Sequence, residues 1–117
     1  MLYADAHPAN RRVVELMLSG QPVDLTLVGD GAQALDAIAS ERFDLILMDV
    51  QMPVMDGLAA TEEIRRARRY DDLPIVAMTA NVMASDIERC KDAGMIDHVG
   101  KPIDVEELME KLERWVR

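Results

Sequence analysis

The sequence predicts an α/β protein in which five parallel strands and five helices form a doubly wound sheet. Short β-like runs alternate along the whole chain with amphipathic segments, which is the pattern of repeated βαβ units. One run, residues 45–48, is apolar throughout and ends in Asp49, as expected of a central strand covered on both faces. A chain of 117 residues, half of them apolar, suffices for one hydrophobic core. We therefore expect residues 1–117 to form one domain.

The first part of the chain predicts a strand, a helix and a second strand. Residues 1–4 form the first strand, and Pro8 stands where a first-turn proline begins a helix that stops at Gly20. In residues 23–28 apolar and polar side chains alternate, so one face of this second strand should meet solvent. The alternation predicts that this strand lies at an edge of the sheet.

Two helices are predicted on either side of the central strand. Asp30 is positioned to cap the second helix, and Gln33 completes a capping box. After the central strand, Asp56 and Gly57 predict a turn and the start of a third helix, which extends to about Tyr70.

The fourth strand is predicted at residues 74–79. Ser85 and Glu88 form a second capping box, which should open the fourth helix, and Gly94 should end it. These signals predict another strand and helix in the same alternation.

The chain closes with a short strand at residues 96–99 and a fifth helix capped by Asp104 with Glu107. The apolar residues of this helix fall on one face at helical spacing: Val105, Leu108, Met109, Leu112 and Val116. We expect this face to pack on the sheet.

The formal net charge of −9 argues against nucleic acid as a direct partner, because phosphate backbones are bound through an excess of Lys and Arg. One basic cluster lies in the third helix, beside Glu62 and Glu63: Arg65, Arg66, Arg68 and Arg69. We expect it to be a solvated helix face with ion pairs one helical turn apart.

We expect a cytoplasmic domain that does not contact a membrane. No apolar run approaches the roughly 20 residues that a membrane helix needs, and the first residues do not resemble a signal peptide. The one cysteine, Cys90, lies in line with Met83, Ile87 and Gly94 at helical spacing, so it should pack in the core. Stability should therefore come from packing and not from a disulfide.

Four polar residues lie at the ends of the predicted strands. Asp5 follows the first strand, Asp49 and Thr79 end the third and fourth, and Lys101 follows the fifth. The carboxyl ends of parallel strands meet at one edge of an open sheet, where ligands bind. We expect these side chains to gather there, and together they form a set suited to a divalent cation and a transferred phosphoryl group.

Asp49 is the candidate for covalent chemistry. A carboxylate at the end of an apolar strand is costly unless it finds a cation or a donor, and Asp can act as a nucleophile that forms an acyl phosphate. Mg²⁺ prefers carboxylates, carbonyls and water as ligands. Lys101 supplies a compact charge for phosphate oxygens, and Thr79 supplies a hydroxyl that can turn toward them.

Three motifs occur in the order and spacing of a known family. They are DVQMPVMDG at residues 49–57, MTAN at 78–81 and GKP at 100–102. With them the chain resembles, over essentially its whole length, the receiver domains of response regulators, particularly those attached to hybrid histidine kinases. The resemblance implies a flavodoxin-like fold with strand order 2-1-3-4-5.

The resemblance also implies a role for each polar residue of the predicted site. Asp49 becomes the phosphoacceptor. Asp5 becomes one acid of the Mg²⁺ site, which Asp49 and the backbone carbonyl of Gln51 complete. Thr79 and Lys101 become the switch hydroxyl and the lysine that contacts the phosphate.

The expected partner of such a domain is a histidine kinase or a histidine phosphotransfer protein. Beyond its own phosphoryl transfer and dephosphorylation, we expect no enzyme activity. Phosphate on Asp49 would bias a surface formed by the fourth helix, fifth strand and fifth helix, which is also a candidate homodimer interface. The family further implies a cis peptide bond before Pro102. The output is expected on another chain or on another part of a longer protein.

The sequence departs from the family at the acidic pair, because Ala6 stands where receivers usually have a second acid. In the family that position is generally the direct Mg²⁺ ligand, so we expect weaker Mg²⁺ binding and slower phosphoryl transfer. His7 is either a replacement nitrogen ligand or a surface histidine before Pro8, and the sequence favours the second interpretation.

A second departure is His98, three residues before Lys101, where receivers often have an aromatic switch residue. His98 is either a switch residue or an exposed polar residue on a short edge strand, and the sequence favours the latter. Trp115 either covers the core or meets a partner, and the sequence does not decide between the two.

The main alternative function is a degenerate receiver, which keeps the fold and docking surface but works without phosphate. Ala6 supports it, and Asp49 would then be a structural carboxylate paired with Lys101. A phosphatase with an aspartate nucleophile needs a second Asp two residues later, where this chain has Gln51. A flavin carrier needs a Ser, Thr and Gly-rich loop after the first strand, which DAHPAN at residues 5–10 does not provide.

Overall fold

The computed structural model describes residues 1–52, 54–67, 70–80 and 83–115. Within these ranges five strands and five helices alternate along the chain. The strands are β1 (Leu2–Ala4), β2 (Thr26–Val28), β3 (Ile46–Asp49), β4 (Ile75–Thr79) and β5 (Asp97–Gly100). The helices are α1 (Pro8–Leu18), α2 (Gly31–Ser40), α3 (Gly57–Arg66), α4 (Ala84–Ala93) and α5 (Val105–Trp115).

The strands form one parallel sheet in the order β2-β1-β3-β4-β5. The chain therefore winds outward first on one side of β1 and then on the other, which confirms the doubly wound sheet. β2 lies at an edge and its side chains are half-buried, as the alternating pattern predicts. β3 lies at the centre, and all its residues are buried.

Each face of the sheet has its own hydrophobic core. On one face Ile46 belongs to a cluster with Ile64 of α3 and with residues of α2 and α4. On the other face Leu47 clusters with Val14 of α1 and Leu108 of α5. Because successive strand residues point to opposite faces, adjacent residues of β3 serve both cores. The strands are therefore packed between two layers of helices.

Two elements, β2 and α3, are shorter than the sequence predicts, β2 by half of the predicted strand and α3 by about one helical turn. The backbone at residues 21–23 forms a tight turn, in which the Val23 amide donates to the Gln21 carbonyl, and the ladder begins only where Thr26 donates to Met1. β2 therefore starts at Thr26 and not at Val23. Helix α3 ends at Arg66, where the sequence predicted an extension to about Tyr70.

The capping box predicted for α2 is half correct. The Asp30 carboxylate accepts a hydrogen bond from the Gln33 amide at 2.8 Å, as predicted. The Gln33 side chain, however, accepts from the Gly29 amide at 2.8 Å and not from that of Asp30. It satisfies the donor one residue upstream of the cap.

The predicted caps of α4 and α5 also need correction. Helix α4 begins at Ala84 with Met83 as its cap, so Ser85 lies inside the helix and the predicted capping box is wrong. Asp104 does hold the start of α5, accepting from the Glu106 amide at 2.8 Å. Glu107 instead accepts from the Gly100 amide at 2.8 Å, which ties α5 to β5.

The basic cluster of α3 is not simply a solvated face. The guanidinium of Arg65 donates to the carbonyls of Gly94 at 3.0 Å and Tyr70 at 2.6 Å, and burial lowers its pKa. It thus bridges α3 to the end of α4, where Gly94 adopts φ +113°. Arg66 makes the expected ion pair, with Glu63. Arg68 and Arg69 of the predicted cluster lie outside the described residues, as do Pro53 and Asn81 of the motifs and Val116 of the last helix.

Cys90 is buried in the core, as predicted, and burial raises the pKa of its thiol, which disfavours the reactive thiolate. Of the helices that the structure describes, none is long and apolar enough to cross a membrane.

Candidate functional site

The polar residues singled out in the sequence lie together at the carboxyl edge of the sheet. Asp49 ends β3 and pairs in register with Met78, while Thr79 of β4 pairs with Gly100, the residue before Lys101. Asp5 directly follows β1, the other neighbour of β3. The parallel register therefore places one polar residue from each of four strands at the same edge.

Lys101 joins the two carboxylates. Its Nζ lies 3.1 Å from Asp49 Oδ1 and 3.4 Å from Asp5 Oδ2. Both acids are buried, with 0% of Asp5 and 3% of Asp49 exposed. Two carboxylates and one ammonium leave an excess of one negative charge in this buried cluster, which favours the binding of a further cation.

Asp5 is firmly held in its ionised form. Its Oδ2 accepts from the Tyr3 hydroxyl at 2.6 Å, and its Oδ1 accepts from the His7 amide at 2.9 Å. Burial alone would raise the pKa of Asp5, but these hydrogen bonds and the charge of Lys101 outweigh it and lower the pKa below its usual value. Asp5 is therefore a fixed anion at the edge of the site.

Tyr3 is a site residue that the sequence analysis missed. It is fully buried in β1, and both burial and its hydrogen bond to Asp5 raise the pKa of its hydroxyl. Residues two apart on a strand share a face, and a buried tyrosine usually finds a partner for its hydroxyl. A tyrosine two positions before a strand-end aspartate was the signal that could have identified it.

Asp49 is held less completely. Its Oδ1 contacts Lys101 and accepts from the Gln51 amide at 3.3 Å. Among the described residues its Oδ2 is the buried side-chain atom that has no hydrogen-bond partner. Burial, with the negative charge of Asp5, raises the pKa of Asp49 in spite of Lys101. This buried carboxylate oxygen needs a cation or a donor, so the donor set fits a divalent metal ion.

His7 lies beside the two acids. Its side chain is 71% exposed, as a surface histidine would be, yet Nδ1 is 3.4 Å from Asp5 Oδ1. One possible ligand atom from each of Asp5, His7 and Asp49 lies within 4.8 Å of the others. The residue between Asp5 and His7 is Ala6, whose side chain offers no ligand atom.

The start of α3 packs directly against the backbone of Asp49. Asp56 caps the helix by accepting from the Ala59 amide at 2.8 Å, and the Gly57 amide donates to the Val50 carbonyl at 3.0 Å. A Cβ at position 57 would lie 2.1 Å from the Asp49 carbonyl oxygen. The predicted turn and helix start is confirmed, and Gly57 is required by this close approach.

Thr79 and Lys101 are linked through the backbone. The Thr79 carbonyl accepts from the Lys101 amide at 2.8 Å, and the Lys101–Pro102 peptide bond is cis, as the resemblance implied. Thr79 itself is 8% exposed. The loop that carries the lysine is thus fixed to the end of β4.

His98 lies on β5 and lines a groove of about 240 Å³ between α4 and the end of α5. Its neighbour Asp97 was not singled out in the sequence. Asp97 accepts from Lys111 at 2.9 Å, from Trp115 Nε1 at 2.9 Å and from the amide of His98 at 2.8 Å. Trp115 therefore packs within the domain and ties α5 to β5.

The chain is similar in sequence and structure to known proteins. Residues 1–113 match the model of the response regulator receiver domain. Over 118 residues the chain is 41% identical to the sensor protein GacS of Pseudomonas syringae, and over 115 residues it is 37% identical to the histidine-protein kinase BarA of Escherichia coli. These alignments cover 98% of this chain but only 13% and 12% of the two relatives.

Solved structures of receiver domains and related proteins have the same fold as this chain. The receiver domain of the sensor histidine kinase PA1611 from Pseudomonas aeruginosa, which has a magnesium ion coordinated in its active-site cleft, superposes with a TM-score of 0.89 at 43% identity, covering 97% of this chain and 93% of that one. The chemotaxis protein CheY4 of Vibrio cholerae gives 0.92 at 29% identity, covering 98% and 96%.

Proposed function

The chain belongs to the response regulator receiver family, and from that premise we propose that Asp49 accepts a phosphoryl group in a two-component phosphorelay. We propose residues 1–117 as one such domain. The observation that carries the proposal is Asp49 Oδ2, a buried carboxylate oxygen with no hydrogen-bond partner in the described part of the chain, at the end of the central strand and beside Lys101.

The proposed reaction is a simple displacement at phosphorus. Asp49 Oδ2 forms a bond to phosphorus while the bond from phosphorus to the imidazole nitrogen of a phosphohistidine breaks. The leaving imidazole keeps the electron pair of that bond and takes up a proton from solvent water. Lys101, which already contacts Oδ1, balances the charge on the transferred oxygens.

The residues present fit a divalent cation, which we propose is Mg²⁺. Asp49, Asp5 and the Gln51 carbonyl would hold it, and when bound it would offset the negative charge of the approaching donor. Asp5 is already occupied by Tyr3, His7 and Lys101, and Ala6 adds no ligand. We therefore expect Mg²⁺ to bind more weakly than in receivers with two adjacent acids.

We propose that the signal leaves through Thr79 and β5. The Thr79 hydroxyl would turn toward the phosphoryl group on Asp49. Because the Thr79 carbonyl also accepts from the Lys101 amide, a movement of Thr79 would displace the end of β5. His98 lies on that strand, in the groove between α4 and α5. This surface is the proposed docking site for partners and for a second copy of the chain.

The cellular context is part of the proposal. Because the curated relatives are much longer sensor kinases, of which this chain spans about an eighth, we propose that the phosphodonor is a histidine kinase or a histidine phosphotransfer protein. We place the domain in the cytoplasm and assign it no enzyme activity beyond its own phosphorylation and dephosphorylation.

The second candidate is a degenerate receiver that docks partners without being phosphorylated. Ala6 favours it, because the site lacks one acid, and so does the contact of Lys101 with both remaining carboxylates. In that case the Asp5, Asp49 and Lys101 cluster would serve only to hold the strand ends together.

The test is the intact mass of the domain after incubation with phosphoramidate or acetyl phosphate. We expect the gain of one phosphoryl group that depends on Mg²⁺ and is absent from Asp49→Asn. The matched control is Asp56→Asn, which removes another acid of the same loop and should still be phosphorylated. No adduct on the wild-type domain at any Mg²⁺ concentration would leave the degenerate receiver as the function.

A further inference from the structure

We propose that His7 is a ligand of the divalent cation, and that the site is therefore a mixed nitrogen and oxygen site that favours Co²⁺ and Ni²⁺ relative to Mg²⁺. The inference rests on the proposed function only in so far as both need a cation beside Asp49. It assigns to His7 the place that Ala6 leaves without a ligand.

The distances suit one ion. Ligand atoms about 2.1 Å from an octahedral ion lie about 3.0 Å apart when adjacent and about 4.2 Å apart when opposite. His7 Nδ1 and Asp5 Oδ1 are 3.4 Å apart, close to the adjacent spacing. The three ligand atoms of Asp5, His7 and Asp49 lie within 4.8 Å of one another, so small rotations of side chains would bring all three to one ion.

The backbone of His7 is held in place for this role. Proline at position 8 restricts the preceding residue to extended conformations, and His7 has φ −92° and ψ 115°. Its amide also donates to Asp5 Oδ1 at 2.9 Å. The backbone of His7 is therefore already ordered, and binding an ion would fix only its two side-chain torsions.

The imidazole has no structural task in the described part of the chain that would compete with a metal. His7 is the cap residue of α1, but its side chain makes no capping hydrogen bond there. Its described partner is the Asp5 carboxylate, which is itself a candidate ligand. The ring therefore stands at the mouth of the site without contributing to the helix.

Asp49 supplies the independent sign of a missing ligand. Asp49 is 97% buried, and its Oδ2 lacks a hydrogen-bond partner among the described residues. It belongs to the group of possible metal ligands with Asp5 and His7. Lys101 is already shared between both acids and leaves one negative charge unbalanced. A divalent ion bound by Asp49, Asp5 and His7 would supply the cation that the Asp49 carboxylate lacks and would reverse the charge of the cluster.

The ion preference follows from the ligand types. Carboxylate, carbonyl and water ligands suit Mg²⁺, whereas an imidazole nitrogen suits transition metals such as Ni²⁺ and Zn²⁺. Affinity for a given nitrogen-containing site also rises from Mn²⁺ through Co²⁺ to Ni²⁺. Replacing the carboxylate usual at position 6 by a neighbouring imidazole thus shifts selectivity away from Mg²⁺.

Electron spin echo envelope modulation of Mn²⁺ added to the whole domain tests the ligand directly. We expect modulation from a directly bound ¹⁴N nucleus in the wild-type domain, its loss in His7→Gln, and its retention in His98→Gln, the matched control at the other histidine. His7 is exposed, so neither variant should alter the circular dichroism spectrum of the folded protein. Bound Mn²⁺ without nitrogen modulation, or no bound Mn²⁺, would overturn the proposal.

Calorimetric titration tests the selectivity. We expect His7→Gln to weaken Ni²⁺ binding by at least about tenfold and to change Mg²⁺ binding much less. Ala6→Asp should strengthen Mg²⁺ binding and reduce the preference for Ni²⁺. Equal losses of Ni²⁺ and Mg²⁺ affinity in His7→Gln would contradict a nitrogen ligand.

The two proposals fail separately. Phosphorylation of Asp49 without nitrogen modulation would leave the receiver function standing and remove His7 from the metal site. Nitrogen modulation without phosphorylation would keep the metal site and remove the phosphoacceptor role.

Discussion

At the scale of single residues, the site depends on how differently its two acids are held. Asp5 is fixed by Tyr3, His7 and Lys101, and its pKa is lowered. Asp49 has one oxygen for which the described residues provide no hydrogen-bond partner, and its pKa is raised. Lys101 contacts both. The better-held acid is suited to anchoring the site, and the less satisfied one is suited to reacting.

Tyr3→Phe should cost the domain about 1.5–3 kcal/mol of unfolding free energy, because it removes a buried hydrogen bond to a charged acceptor. The control is Tyr70→Phe, which removes a 3.2 Å hydrogen bond to the neutral Ile38 carbonyl and should cost about 1 kcal/mol. Urea denaturation measures both. Equal losses would show that Tyr3 does not hold an ionised Asp5.

Val54→Asn should stabilise the domain by about 1 kcal/mol. Val54 adopts φ 68°, a left-handed conformation that is strained for a β-branched residue and tolerated by asparagine. Its side chain is 86% exposed, so the change removes little packing. A lower urea midpoint in Val54→Asn would contradict strain at this position.

At the scale of elements, the sequence predicted whether each segment is a helix or a strand better than it predicted where the segment begins and ends. The alternation of residues 23–28 correctly indicated an edge strand, and the apolar run before Asp49 a central one. The ends depend on competing local bonds: the turn at residues 21–23 shortens β2, and Gln33 bonds to Gly29 instead of completing its box. Such choices among neighbouring donors are not encoded in residue type alone.

The close contact between α3 and β3 gives a prediction at this scale. Gly57→Ala should destabilise the domain by about 1–3 kcal/mol, because a Cβ would overlap the Asp49 carbonyl and push the helix away. It should also slow phosphorylation of Asp49. Gly20→Ala is the control, since nothing lies within 4 Å of a Cβ there. Urea denaturation and the intact-mass assay measure the two effects, and unchanged values for Gly57→Ala would contradict the contact.

At the scale of the whole molecule, the alternation of strands and helices predicted the doubly wound sheet and brought four strand ends to one edge. From that, Asp5, Asp49, Thr79 and Lys101 could be found before the structure was known. Asp97 could not, because its partners Lys111 and Trp115 are distant in the chain. Tyr3 was missed although its partner Asp5 is only two residues away. The hydrogen bond from Arg65 to the Gly94 carbonyl at the end of α4 could not be predicted either, because the two residues are distant in the chain.

Asp97 ties the last helix to the sheet, and this link should depend on pH. Burial opposes ionisation, but hydrogen bonds from Trp115, Lys111 and the His98 amide lower the pKa of Asp97 below that of the unfolded chain. The stabilisation is therefore complete above the unfolded value, about 3.9, and is lost as the pH falls below it.

Asp97→Asn should lower the unfolding free energy at pH 7 by about 1–3 kcal/mol, and the difference from the wild-type domain should shrink as the pH falls below about 4. Urea denaturation across this range measures it. A difference that stays constant with pH would show that the charge of Asp97 does not link α5 to β5.

We propose that Asp49, with Lys101 and Thr79 beside it, holds a phosphoryl group together with a divalent ion. Beryllofluoride, a stable mimic of the acyl phosphate, tests this residue by residue in amide NMR spectra. We predict that the resonances of Thr79, Lys101 and β5 shift only when beryllium, fluoride and Mg²⁺ are all present, and that they do not shift in Asp49→Asn. Spectra of the wild-type domain that stay unchanged under all these conditions would show that Asp49 does not form such a site.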